Sequence, residues 1–196
     1  MNRPLGLLLM ALAAAGLLAL LHHVLAPRIA LQQELALERQ LLDLLPAGSY
    51  DNHPLREGRR LPAGGLLQNP QPASAWIARL RGRPVAALLP VSTRGYRGSI
   101  TLLVAIAADG RLIGSKVLAH QETPGLGAQL AEGDWLTHLA GRRLDDPPQR
   151  WQLRDEGGEI DQIAGATRTS QASLDALQRA LRLHAERWPG WAEERP

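Results

Sequence analysis

The chain has 196 residues, room for one ordinary domain and an appendage, because domains usually hold about 100 to 150 residues. Its 22 Lys and Arg and 19 Asp and Glu residues leave a formal net charge of only +3, and the basic residues are scattered, which argues against nucleic acid as a partner. The absence of cysteine excludes disulfides, cysteine-ligated iron–sulfur clusters and thiolate zinc sites, so redox chemistry would need a bound cofactor.

The first predicted element is an apolar helix over residues 5–26. As a helix it would be about 33 Å long, which matches a hydrocarbon core of about 30 Å, and we expect it to anchor the chain in a membrane. A cleaved signal peptide is the alternative, since Arg3 provides a basic start, but the apolar stretch exceeds the usual length of such a signal. Because Arg28 and Arg39 follow the span, charge discriminates the orientation only weakly. We expect the amino terminus in the cytoplasm.

Residues 28–45 form the next predicted element. Leucines recur there close to helical spacing with charged residues between them, which indicates an amphipathic helix leading out of the membrane. Pro46 and Gly48 would end this helix. Residues 51–75 are polar, rich in Pro and Gly and without periodicity, and they predict a loop or a meandering lobe.

Two β-hairpins are predicted next. Their strands cover residues 76–80, 84–91, 99–107 and 112–120. The second hairpin has the stronger pattern, because a run rich in β-branched and apolar residues is followed by Asp109-Gly110, a favoured tight-turn pair.

The carboxyl-terminal part predicts a short strand over residues 151–154, a turn at Gly157-Gly158 and a closing helix. Hairpins followed by a terminal helix indicate an α+β domain. His184 has the spacing of a packing residue in this helix. The apolar face of the helix consists of Leu174, Leu177, Leu181, His184 and Trp188.

Three glycine- and hydroxyl-rich segments are candidates for chemistry. Residues 161–170 place small residues and hydroxyls before the closing helix, where free amides and the helix dipole suit a phosphate. Capping of the helix by Thr169 or Ser170 is the alternative for this segment alone. Residues 120–127 surround one leucine with two glycines and a proline, which lets backbone approach a flat ligand. Residues 95–98 form a glycine-bracketed turn, and each segment by itself could be an ordinary turn.

Together the three segments resemble the FMN-binding domain of the G subunit of the Rnf-type ion-translocating electron transport complex. The resemblance covers nearly the whole chain, including the apolar amino terminus and Tyr-Asp-Asn at residues 50–52. The family's flavinylation pattern is Asp, two variable residues, Ser or Thr, then Gly-Ala-Thr. The matching positions are Asp161, Ala164, Gly165, Ala166 and Thr167. Ala164 departs from the pattern because it has no hydroxyl.

The resemblance implies FMN attached covalently through a phosphoester to Thr167. A separate flavin transferase, using FAD and a divalent metal, would make this bond. Thr167 is then a tether, and the chain itself is expected to hold no catalytic residue and no metal. The further cofactor-binding residues are expected to be Asp161, Gly165 and Ala166 beside the tether, Glu122, Thr123 and Leu126 near the ring, and Gly125 and Gly127 for backbone access.

The implied function is that of an electron-transfer subunit of an ion-translocating oxidoreductase, without stand-alone catalysis. Implied partners are other membrane and peripheral subunits, the flavin transferase and membrane lipid. The expected location is the bacterial inner membrane, with the flavin domain in the periplasm. The expected domains are a membrane anchor (1–27), the amphipathic helix and lobe (28–75) and an α+β FMN-binding domain of β-hairpins packed with helices (76–196).

Other functions fit the same sequence features. The C subunit of a sodium-pumping NADH:quinone oxidoreductase is built on a similar domain, although that subunit is usually longer. A membrane-anchored flavin sensor or assembly module would carry the domain without relaying electrons. A tethered binding domain without flavin is the third alternative, and a fluorescent band on a denaturing gel would exclude it.

Overall fold

The structure is a computed structural model that describes residues 41–193. The predicted anchor, residues 5–26, and all but the end of the predicted amphipathic helix lie outside the described residues. Within residues 41–193, no helix is both long enough and apolar enough to span a bilayer. From Leu44 onward the described chain forms one compact unit.

An antiparallel sheet of five strands, in the order β1-β2-β3-β4-β5, forms the centre of this unit. The strands are β1 (Arg59–Leu61), β2 (Ala73–Leu80), β3 (Arg83–Arg94), β4 (Ser99–Ala107) and β5 (Leu112–His120). Both predicted hairpins are confirmed, and the strands of the second have the predicted bounds. The predicted loop or meandering lobe over residues 51–75 is wrong where it contains β1 and the start of β2. Three residues of strand are too few to show a period of two.

The β2–β3 hairpin turns at Arg81 and Gly82, whose φ angles are +52° and +74°. Two positive φ values match the two-residue turns that suit the twist of a hairpin. The carboxylate of Asp51 accepts a hydrogen bond from the Arg81 amide at 2.7 Å, and Asn52 accepts one from the Arg79 amide at 2.8 Å. Two residues of the Tyr-Asp-Asn motif therefore hold the end of this hairpin.

A short helix, α1 (Gln129–Glu132), and a long closing helix, α2 (Thr167–Glu193), complete the regular elements. Helix α2 packs on β3 and β4. Leu174, Leu177 and His184 are buried as the helical spacing predicts. Helix α2 begins at Thr167 and not after residue 170 as expected. The last four residues of segment 161–170 form its first turn.

The predicted strand over residues 151–154 is wrong. Two 3₁₀ turns, Pro148–Trp151 and Arg154–Glu156, occupy this region, and between them Leu153 makes only an isolated bridge to Ile160. Proline at the start of the first turn fixes a φ angle that suits it. The apolar side chains that suggested a strand are nevertheless buried in the core.

Candidate functional site

The turn before α2 determines where the Gly-Ala-Thr residues lie. Gly165 has a φ angle of +69°, which glycine adopts at little cost. The amide of Ser170 donates to the Ala166 carbonyl at 2.9 Å, which places Ala166 at the helix boundary. The hydroxyl of Ser170 accepts from the Ile163 amide at 3.0 Å. The prediction that Thr169 or Ser170 caps the helix is therefore wrong, since both lie within its first turn.

Thr167 is the first residue of α2 and is exposed. Its hydroxyl donates a hydrogen bond to Oε1 of Gln162 at 2.5 Å. The first amides of a helix have no partner within the helix and lie at the positive end of its dipole. Arg168, the next residue, is also exposed. The surroundings of Thr167 thus suit a phosphate group.

Asp161 lies before this turn, on the surface. Its carboxylate pairs with Arg154, with Nε to Oδ1 at 2.7 Å and a second hydrogen bond at 3.0 Å. Its carbonyl accepts from the indole nitrogen of Trp135 at 2.6 Å. Because both charged side chains are well exposed, the pair contributes little to stability. The contacts instead fix the course of the chain that leads to Thr167.

Glu122 is buried, with 7% of its surface exposed. Its carboxylate accepts hydrogen bonds from the Thr169 hydroxyl at 2.5 Å and from the Arg97 amide at 3.0 Å. Longer bonds of 3.4 Å come from the amides of Tyr96 and Gly98. Burial by itself would raise the pKa of Glu122, but these hydrogen bonds outweigh it and hold the pKa below the usual 4.5.

The loop that follows Glu122 contacts the turn before α2. The Thr123 carbonyl accepts from the amides of Leu126 and Ala128, both at 3.2 Å. Gly125 has a φ angle of +75° and open space around it. Leu126 is 45% exposed, and a Cβ on Gly165 would lie 2.9 Å from its Cδ2. Two segments separated by about forty residues in sequence are thus neighbours.

Two clefts flank this region. One has a volume of about 350 Å³ and the other about 390 Å³, within the range of small-molecule sites. Residues common to both are Asp134, Trp135 and Gln162. Neither Trp135 nor Gln162 had a predicted role. A tryptophan in a region without helical or strand periodicity was the one available signal.

Comparison with known proteins gives the following matches. Residues 95–182 match the family model described as FMN-binding domain. The G subunit of the ion-translocating oxidoreductase complex of Pseudomonas aeruginosa (strain UCBPP-PA14) is 46% identical over 178 residues, covering 89% of this chain and 83% of the relative. The corresponding protein of Shewanella oneidensis is 37% identical over 190 residues, covering 92% and 90%. Among solved structures, NqrC of Shewanella oneidensis aligns at 22% identity with a TM-score of 0.48, covering 62% of this chain and 63% of that one.

Proposed function

Because this chain belongs to the family of ion-translocating oxidoreductase complex G subunits, we propose that it transfers electrons within such a complex through FMN bound covalently to Thr167. The bond would be a phosphoester made by a flavin transferase. Membership of the family supports the role of complex subunit, and the match to the FMN-binding domain supports the cofactor. Covalent attachment at Thr167 is the further step of the proposal.

The contact between Leu126 and Gly165 is the observation that carries this proposal. It joins the loop of residues 122–127 to the Gly-Ala-Thr turn, and both segments lie within the region that matches the FMN-binding domain. Thr167 is exposed next to this contact. A flavin tethered at Thr167 would therefore have the loop within its reach.

The side chains around Thr167 fit the two ends of FMN. At the phosphate end are the Thr167 hydroxyl, the first amides of α2 and the exposed Arg168. At the ring end, Leu126 offers a half-exposed apolar side chain, and Gly125 leaves the backbone open. Gly127 does not give the backbone access expected of it, because it is buried against Glu122. Bound FMN supplies the capacity to accept and donate electrons, whereas the polypeptide sets its position and exposure.

The residues before Thr167 would present it to the transferase. Gly165 supplies the positive φ angle of the turn, and Ala166 is small and buried. Oε1 of Gln162 accepts a hydrogen bond from the Thr167 hydroxyl and so orients it. An ester oxygen has no proton to donate, so Gln162 must find another partner after attachment. Asp161, before this turn, pairs with Arg154, and its carbonyl accepts a hydrogen bond from Trp135.

The wider setting of the proposal is a membrane-bound complex. Residues 5–26 would anchor the chain in the inner membrane through lipid contacts, with the FMN domain in the periplasm. The partners would be the other membrane and peripheral subunits. The support for this arrangement is the length and apolar character of residues 5–26.

In-gel fluorescence tests the proposed attachment. The full chain, produced together with its flavin transferase, should give a fluorescent band after denaturation. Thr167→Ala should remove the fluorescence, and Thr167→Ser, which keeps a hydroxyl, should retain part of it. Thr137→Ala is a matched control, because Thr137 is another exposed threonine at the start of a helical turn. Fluorescence that persists in Thr167→Ala would refute the assignment.

A further inference from the structure

The carboxylate of Glu122 is the meeting point of three segments that are distant in sequence. It accepts hydrogen bonds from the turn at residues 95–98, through the amides of Tyr96, Arg97 and Gly98. It also accepts one from Thr169 in the first turn of α2. Among the described residues, no Lys or Arg side chain pairs with this carboxylate; its partners are neutral donors. A buried charge held only by neutral donors depends on all of them being in position.

Two glycines, which have no side chain, leave the space for this carboxylate. A Cβ on Gly95 would lie 2.6 Å from Oε1 of Glu122, and a Cβ on Gly127 would overlap Oε2. Non-bonded atoms do not approach one another so closely in either case. A side chain at either glycine would therefore displace the carboxylate, and the turn and the loop close directly onto it.

The same carboxylate reaches the proposed flavin attachment site by two routes. Through its side chain it holds Thr169, which is fully buried and lies two residues after Thr167. Through its backbone it begins the loop that carries Leu126 against Gly165. Glu122 is thus connected both to the start of α2, through Thr169, and to the loop that contacts Gly165.

We propose that Glu122 is a positioning residue that, through Thr169, holds the first turn of α2 and the loop of residues 122–127 in one fixed relation. This inference rests on the proposed attachment of FMN at Thr167. The resemblance to the family implies that Glu122 lies near the flavin ring. In this proposal its carboxylate acts through protein donors and orients the two segments next to the proposed attachment site.

Two substitutions at Thr169 separate this role from general stability. Thr169→Val keeps the shape of the side chain but removes the donor to Glu122, whereas Thr169→Ser keeps the hydroxyl. In protein made without the transferase, Thr169→Val should speed hydrogen exchange of the amides at residues 96–98 by about tenfold, as expected for the loss of one buried hydrogen bond. Thr169→Ser should exchange like the parent.

Flavinylated full-length protein provides the second measurement. Thr169→Val should lower the fluorescence anisotropy of the flavin and shift its midpoint potential, and Thr169→Ser should restore both. If Thr169→Val does not fold, Glu122→Gln serves instead, because it keeps the size of the side chain but replaces one of the two acceptor oxygens with an NH₂ group. Folded Thr169→Val protein with unchanged exchange at residues 96–98, or with unchanged anisotropy and potential, would overturn the positioning role.

The two measurements distinguish failure of this inference from failure of the proposed function. A parent protein without covalent flavin would refute the attachment at Thr167. The exchange measurement needs no flavin, and it would still decide whether Glu122 joins the turn to α2. Faster exchange confined to residues 167–170 would count against the inference, because the turn at residues 95–98 would then be independent of Thr169.

Discussion

Replacing His184 with leucine should make the stability of the domain less sensitive to acid. His184 is 2% exposed, its ring stacks on Trp188 with centroids 4.7 Å apart, and its Nε2 has no hydrogen-bond partner among the described residues. Burial lowers the pKa of His184 from 6.5 to about 4, and the nearby Asp109 offsets only part of this effect. The imidazole is therefore neutral in the folded protein at pH 7.

The sign and size of the effect follow from the two pKa values. Between pH 6.5 and pH 4 the unfolded chain binds a proton at His184 that the folded chain does not, so the free energy of unfolding falls as the pH falls. Each unit of difference between the two pKa values corresponds to about 1.4 kcal/mol. The full loss is therefore about 3 kcal/mol, of which about 2 kcal/mol is lost by pH 5.

Urea unfolding at pH 7.5 and pH 5 measures this loss. Other titrating groups contribute equally to the parent and the variant, so the comparison isolates His184. His184→Leu should reduce the difference between the two pH values by about 2 kcal/mol. His138→Gln is the control, because it replaces another histidine that is exposed beside Asp134, where an ion pair contributes little to stability. Equal differences in the parent and His184→Leu would refute the account.

Three further predictions concern the site and its surroundings. Gly125→Val should lower the free energy of unfolding by about 1–2 kcal/mol, because Gly125 has a positive φ angle. The folded variant should keep covalent flavin but show changed flavin anisotropy and a shifted midpoint potential. If neither changes, the loop does not form part of the flavin pocket. Gln162→Ala should slow covalent flavin incorporation several-fold by releasing the Thr167 hydroxyl, and incorporation at the parental rate would show that Gln162 does not orient it. A reporter active only outside the cytoplasm should work when fused after Pro196, and activity from a cytoplasmic reporter alone would reverse the proposed topology.

The hairpins could be predicted because their signals are local. A run of β-branched and apolar residues followed by a tight-turn pair indicates strands β4 and β5 from the local sequence. Strand β1 depends instead on pairing with β2 across the sheet, and its three residues have no pattern of their own. The prediction of a strand over residues 151–154 was wrong for a related reason. Its apolar side chains are buried in the core, but its backbone makes only one isolated bridge.

The same distinction between local sequence signals and long-range contacts applies to the candidate site. Residue type singled out the Gly-Ala-Thr turn and the loop of residues 122–127 as glycine-rich segments, but their roles at a flavin site came only from the resemblance to the family. The bond between Glu122 and Thr169 joins positions 47 residues apart, and nothing in either local sequence indicates it. Trp135, which lines both clefts, was missed because its position there depends on the tertiary structure.

Mass mapping of the flavin-bearing peptide tests the central proposal most directly. Trypsin cleavage after Arg154 and Arg168 would release residues 155–168, which contain Thr167. In protein isolated with its native transferase, this peptide should carry the mass of FMN less one water, and fragmentation should locate the addition on Thr167. An unmodified peptide in protein that fluoresces on a denaturing gel, or FMN located on another residue, would contradict the account.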